Sequence, residues 1–159
     1  GASVLLLIVL VPYFLFQTGF VYEVTGSQSW SLPLSKYRMD AVFLRMLGYV
    51  DESDVFGALW ISKNVNIKST QIYADLYSRN RVLTVYGMVY RGDVDVLSNT
   101  TKIAVNGTLF LGLLNVAEGK IIGAHVWNSS ELSFRFDSLN RIYSNGACEI
   151  YRNMSTIPS

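Results

Sequence analysis

The pattern of hydrophobic and polar positions changes character twice along the chain. From Ala2 to Val21, ASVLLLIVLVPYFLFQTGFV, no residue is charged, and Gln17 and Thr18 are the strongly polar positions after Ser3. The run is apolar on every face, which distinguishes it from the one-sided stripe of a surface helix. Twenty residues of helix rise about 30 Å, the thickness of a bilayer hydrocarbon core. The stretch 1–22 is therefore expected to be a membrane-spanning or assembly helix, with Leu5, Leu6, Ile8, Val9, Leu10, Phe14 and Phe16 as its apolar surface and Pro12 as a kink. It lacks the basic start of a cleavable signal peptide, since the first Lys or Arg is Lys36.

After a turn-rich connector, 23–35, the period becomes helical. Met39, Val42, Phe43, Met46 and Leu47 recur at steps of three and four, predicting a helix over 36–47 with Ser35 as N-cap and Gly48 as C-cap. Asp51, Glu52 and Asp54 make an acidic start to a second helix that ends near Lys63, the polarity favoured by the helix dipole. Beyond it the runs shorten to strand length. Strands are expected at 69–75, 102–105, 108–114, 119–127 and 131–136, and a last pair at 140–143 and 148–151. Residues 109–114 could instead open a short helix. Asn106-Gly107 and Ser144-Asn145-Gly146 are hairpin-turn signals. The order predicts an α+β fold (mixed α/β): an apolar N-terminal helix, then a head domain over 23–159 with two early helices and a mainly antiparallel β-sheet.

Composition narrows the function classes. With 13 basic and 12 acidic residues there is no electrostatic case for nucleic acid. The single cysteine, Cys148, excludes an intrachain disulfide and a thiolate metal cluster, and beside a strand-like run it reads as a small buried hydrophobe. Asn99, Asn106, Asn128 and Asn153 each begin an N-x-Ser/Thr triplet, so N-linked glycans are expected partners of an exported head.

Candidate chemistry is sparse. His125 is the only histidine, so neither a histidine metal pair nor a triad follows from the sequence. Asp51, Glu52 and Asp54 do not match an ion-loop spacing, and helix capping, with Asp54 as the cap, is the simpler account. Asp93 and Asp95 alternate onto one strand face. Asp75 follows Ile72-Tyr73-Ala74 at a strand's C-terminal end, where open α/β sheets place ligands, although Arg79 and Arg81 suggest a salt-bridged turn. Arg38 and Asp40 open the first soluble helix and carry no clearer signal. No catalytic, cofactor or metal residues are assigned, and the chain by itself is expected not to be an enzyme.

The segments FQTGFVYEVTG (16–26), SLPLSKYRMD (31–40), DVFGALWISKN (54–64), IYADLYSRNRVLTVYG (72–87) and NRIYSNGACEIY (140–151) resemble the C-terminal region of an uncharacterised group of archaeal predicted multispanning membrane proteins. That group's architecture is similar to lipid-linked-sugar glycosyltransferases. The resemblance implies an outer soluble domain behind a last membrane helix, and a chain that is either a fragment or a mature helix-plus-head product. It does not carry over a catalytic residue: such enzymes hold their acid in an early loop this chain lacks, and the tryptophan-rich aspartate motif of oligosaccharyltransferase soluble domains is missing.

These readings lead to a non-enzymatic cell-surface structural or interaction domain, anchored in the cell membrane by helix 1–22 with its head outside. Its expected partners are membrane lipid or identical subunits. Two alternatives stand beside it. One is a pilin-like subunit that self-assembles into a filament through the same helix; the other is an accessory domain of a glycosyltransferase-like membrane protein.

Overall fold

A computed structural model describes residues 2–27, 39–132 and 138–154. The connector from 28, the Ser35 cap, Lys36, Arg38 and residues 133–136 of the expected 131–136 strand lie outside the described residues. The chain divides into two compact units, Gly1–Leu47 and Gly48–Ser159.

In the first unit, α1 covers Ala2–Gln17 and continues through Pro12. It stops short of the expected span for a local reason. Thr18 Oγ1 donates back to the Phe14 carbonyl at 2.9 Å, and Gly19 takes a left-handed φ of 72°. A separate short helix, α2, then runs Phe20–Thr25. Sixteen residues rise only about 24 Å. No helix among the described residues is long and apolar enough to cross a membrane. This overturns the anchor read from the sequence, and with it lipid or identical subunits as partners through helix 1–22, the filament built on that helix, and the cell-membrane placement. Leu5, Leu6, Ile8, Val9, Leu10, Phe14 and Phe16 are each more than half exposed, and Pro12 is exposed as well. Helix α3 covers Ala41–Met46 and is capped by Asp40, whose Oδ1 accepts from the Phe43 amide at 3.0 Å.

The second unit opens with α4, Glu52–Asn64. Its N-cap is Asp51, which accepts from the Ser53 amide at 3.1 Å and the Ser53 hydroxyl at 2.8 Å. Asp54 is not the cap. It is wholly buried, and its Oδ1 accepts from the amide of Leu113 at 2.7 Å, far along the chain.

The sheet strands are β1 (Ile72–Ala74), β2 (Val94–Val96) and β3 (Thr108–Leu111), followed much later by β6 (Asn140–Ser144) and β7 (Glu149–Arg152). Between them lie α5 (Leu113–Ala117) and a separate hairpin of β4 (Lys120–Ile122) with β5 (Val126–Asn128). The sheet order is β2-β1-β3-β7-β6. Strands β2, β1 and β3 are parallel, while β7 is antiparallel to both β3 and β6. The α+β reading with early helices and a sheet holds; the mainly antiparallel sheet becomes a mixed one. The decisive segment is β3. Every residue of Thr108–Leu111 is buried, so it needs partners on both sides. Lys102–Val105, expected as its hairpin mate, forms no strand. The Asn106-Gly107 turn is present, with Asn106 at φ 61° and the Gly107 amide bonded to Ala104 O at 2.9 Å, but it delivers β3 into the sheet centre.

The two faces of the sheet are covered differently. On one, α4 lies so close that a Cβ on Gly57 would collide with Cys148 Sγ and the Phe110 ring. Trp60 of the same helix stacks on Tyr143 with ring centroids 5.2 Å apart. On the other, Tyr73, Leu109 and Leu111 pack with Leu97, Ile121 and Leu139. Cys148 is a buried thiol, pushed well above its ordinary pKa by burial first and then by the negative charges of Asp54 and Glu149.

The contact at Gly57 gives a stability test. Gly57→Ala should destabilise the protein by about 1–3 kcal/mol through overpacking. Cys148→Ala in the same chain should recover part of that loss by removing the sulfur. Urea unfolding of the two single variants and the double variant measures the coupling; strict additivity would contradict the close approach.

Candidate ligand pocket and its carboxylate frame

Asp75 begins the site. It follows β1 directly and is fully buried at the C-terminal end of the three parallel strands, the place where open α/β sheets put ligands. What it meets there is the protein's own chain. Its Oδ1 accepts from the Ser78 amide at 2.6 Å, opening a π-helical turn over Ser78–Leu83. Its Oδ2 accepts from Asn115 Nδ2 at 2.9 Å and from the Ile122 amide at 3.3 Å. Asn115 is engaged at both ends of its amide: Nδ2 also donates to Lys120 O at 2.8 Å, and Oδ1 accepts from the Gly112 amide at 2.8 Å. One carboxylate thus fastens β1, the π-helical turn, α5 and β4 together. The salt-bridged turn with Arg79 and Arg81 is not formed. Arg79 Nε donates instead to Asn80 at 3.3 Å, and its pKa is lowered by burial and by nearby Arg91.

With α5 and β4 held in this way, a half-open pocket of about 210 Å³ remains beside the sheet. Leu111, Val116 and Ile121 supply apolar lining from β3, α5 and β4, with Asn115 and Gly119 alongside. Ser129 from the turn after β5, and Glu149 and Tyr151 from β7, supply polar lining. Glu149 and Tyr151 are two residues apart on one strand and so share a face. Glu149 Oε2 accepts from the Tyr151 hydroxyl at 2.5 Å, and Oε1 accepts from Arg141 Nη1 on β6 at 2.7 Å. Burial and that hydrogen bond push the Tyr151 pKa up to about 12. A second, more polar cleft of about 580 Å³ lies at the opposite ends of the parallel strands, where Gln71 precedes β1 and Asp93 precedes β2.

The other sequence candidates are scattered. His125 is exposed at the β4–β5 turn, edge-on to Trp127 with centroids 5.7 Å apart. Asp93 and Asp95 are exposed, Asp51 caps α4, and Asp40 caps α3. Among the described residues no group of three His, Cys, Asp or Glu side chains could hold a metal ion. Asn99 and Asn106 are exposed in turns. The side-chain amide of Asn128 is engaged by Glu131 at 2.8 Å, and that of Asn153 donates to Ile103 O at 2.8 Å. Sequence reasoning missed Asn115, Ser129, Glu149 and Tyr151 as site residues. Asn115 carried a usable signal, a lone amide within the apolar run LLNVA; the rest had none, because only the fold brings them together.

A family model described as Predicted membrane protein (DUF2206) matches residues 2–154. The chain belongs to the DUF2206 family. No curated protein and no solved structure matches it. Membership in DUF2206 replaces the fuller resemblance to a multispanning, lipid-linked-sugar glycosyltransferase-like protein. That architecture is withdrawn, because no described helix of this DUF2206 chain is long and apolar enough to cross a membrane.

The frame around Asp75 gives a second test. Burial raises its pKa above 3.8 in the folded state, against the three donors that favour its ionised form. The folded protein therefore binds this proton more tightly than the unfolded chain does. The stability so contributed is fully present below pH 3.8 and is lost as pH rises through the folded value. Asp75→Asn cannot titrate, and its amide turns a donor towards Ser78 or towards Asn115 and Ile122. We expect a loss of about 1–3 kcal/mol in mild acid, shrinking toward neutral pH. Chemical denaturation of wild type and variant from pH 4 to 7 measures that gap; a gap that widens with pH would refute the assignment.

Proposed function

We propose that residues 48–159 act as a non-catalytic module that binds a small molecule in the pocket between α5, β4 and β7. The observation that supports this most directly is the pairing of an apolar lining (Leu111, Val116, Ile121) with a few polar groups on one wall, the usual make-up of a small-molecule site. The groups that could do chemistry nearby are committed elsewhere. Asp75 holds three donors, Asn115 is engaged through both its amide nitrogen and its oxygen, and the Cys148 thiol is buried with its pKa raised. A nucleophile needs its deprotonated form within reach of a substrate, and that thiol offers neither. The reading needs no anchor and makes no use of α1.

The test is amide-resolved NMR on the full chain with a mixture of small neutral, cationic and anionic ring compounds. Shifts should group on Val116, Gly119, Ile121 and Ser129. Shifts confined to other surfaces, or chemical turnover of a probe, would refute the proposal.

A second proposal concerns modification. Of the four acceptor asparagines, Asn99 and Asn106 are the pair to carry glycans, because both are exposed in turns while the amides of Asn128 and Asn153 are already engaged. Glycopeptide mass spectrometry on natively produced protein should find mass added at Asn99 or Asn106. Modification of Asn128 or Asn153 alone, or an unmodified chain, would contradict it.

A further inference from the structure

We infer that the polar cleft at the N-terminal ends of the parallel strands is a second site, one that takes a pyranose ring with its hydroxyl edge on the cleft and its C–H face on Tyr90. It is separate from the pocket beside β7 and does not depend on it. The cleft's side chains are unspent. Its backbone is already paired: Gln71 O accepts from the Thr108 amide at 2.8 Å, and the Asp93 amide donates to Tyr90 O at 2.9 Å. The side chains of Lys68, Thr70, Gln71 and Asp93 line the same space and make no hydrogen bond or ion pair among the described residues. They offer an ammonium donor, a hydroxyl and an amide of either sense, and a carboxylate acceptor.

Charge then narrows the ligand. Lys68 and Asp93 carry opposite signs and are not bonded to each other. An anion that met Lys68 would also face Asp93, and a cation that met Asp93 would face Lys68. A neutral polyhydroxyl compound suits both, because each hydroxyl donates and accepts. The volume, about 580 Å³, lies within the range of about 300–1,000 Å³ usual for small-molecule sites, but the lining is polar where theirs is mostly apolar.

Tyr90 sets the shape. A Cβ on Gly92, itself a lining residue, would fall 2.6 Å from Tyr90 Cε1, so the ring is laid against the cleft's own backbone. It is nonetheless 74% exposed. An aromatic face kept in water at the rim of a hydrogen-bonding cleft fits a ligand with one apolar face and a polar edge. A pyranose has both; an open-chain polyol and an amino-acid zwitterion lack the face. The ring has two possible sources: a free saccharide, or a glycan on Asn106, which is exposed and directly follows the lining residue Val105.

The experiment is amide-resolved NMR on the full chain, produced once in a host that does not glycosylate and once natively. Maltose and cellobiose are the pyranose probes, with sorbitol, alanine and inorganic phosphate as the open-chain, zwitterionic and anionic controls. Shifts of Lys68, Gln71, Gly92 and Asp93 give the affinities. On the unglycosylated chain at least one disaccharide should bind about tenfold more tightly than any control. Tyr90→Ala should weaken that disaccharide about tenfold and leave sorbitol unchanged, while circular dichroism confirms that the variant is folded.

Binding to both forms of the chain supports the inference and assigns a free saccharide. Binding to the unglycosylated form alone supports it and assigns the cleft to the chain's own glycan. Equal or tighter binding of sorbitol, alanine or phosphate overturns it, as does a disaccharide affinity that survives Tyr90→Ala. If neither disaccharide shifts these residues, the inference falls and the proposal for the pocket beside β7 stands untouched.

Discussion

The second unit depends on one buried carboxylate. Among the described residues no cation pairs with Asp75; it is held by the Ser78 and Ile122 amides and by the Asn115 side chain. Its three donors come from segments that follow three different strands or turns. Leaving such donors unpaired in the interior would cost more than any one of the bonds gains. The carboxylate is therefore a geometric constraint: α5 and β4 must return to the end of β1. The polar end of an otherwise open parallel sheet is closed by the protein's own chain, and the pocket is the space left beside that closure.

Asp54 repeats the device from the other side of the sheet. It leaves α4 and accepts from the Leu113 amide at the start of α5, while Gly57 one turn later lets α4 settle against Cys148 and Phe110. The helix on one face and the helix beyond the sheet end are tied through a single buried side chain. Two carboxylates that could have served catalysis are thus spent on architecture. The polar groups that line the pocket are on β7 and in the turn after β5, where Glu149, Tyr151 and Ser129 meet it.

The first unit turns on a different balance. Its opening residues are as apolar as a spanning helix requires, but apolar length is a property of the helix and not of the sequence run. The Thr18 side chain competes for the Phe14 carbonyl, and Gly19 adopts a left-handed conformation that costs other residues far more. The run is divided into α1 and α2, and neither reaches the length of a bilayer core.

The sequence by itself determined the local features. The period of α4, its acidic first turn, the Asn106-Gly107 turn and the β6–β7 hairpin through Asn145 and Gly146 all follow from side-chain spacing and turn chemistry within a few residues. Only the tertiary structure decided which strands became neighbours. The Asn106-Gly107 turn looked like a hairpin because its flanks are apolar, but a strand buried on both faces gains more between β1 and β7 than beside Lys102–Val105. Asp54 looked like a cap because caps are acidic and lie near helix starts; its partner, Leu113, is distant in sequence and so invisible to spacing. The pocket was illegible for the same reason. Leu111, Val116, Ile121, Ser129, Glu149 and Tyr151 come from elements far apart in the chain, and their meeting depends on the pairing of β3 with β7 and on hydrogen bonds to Asp75 that no local pattern records.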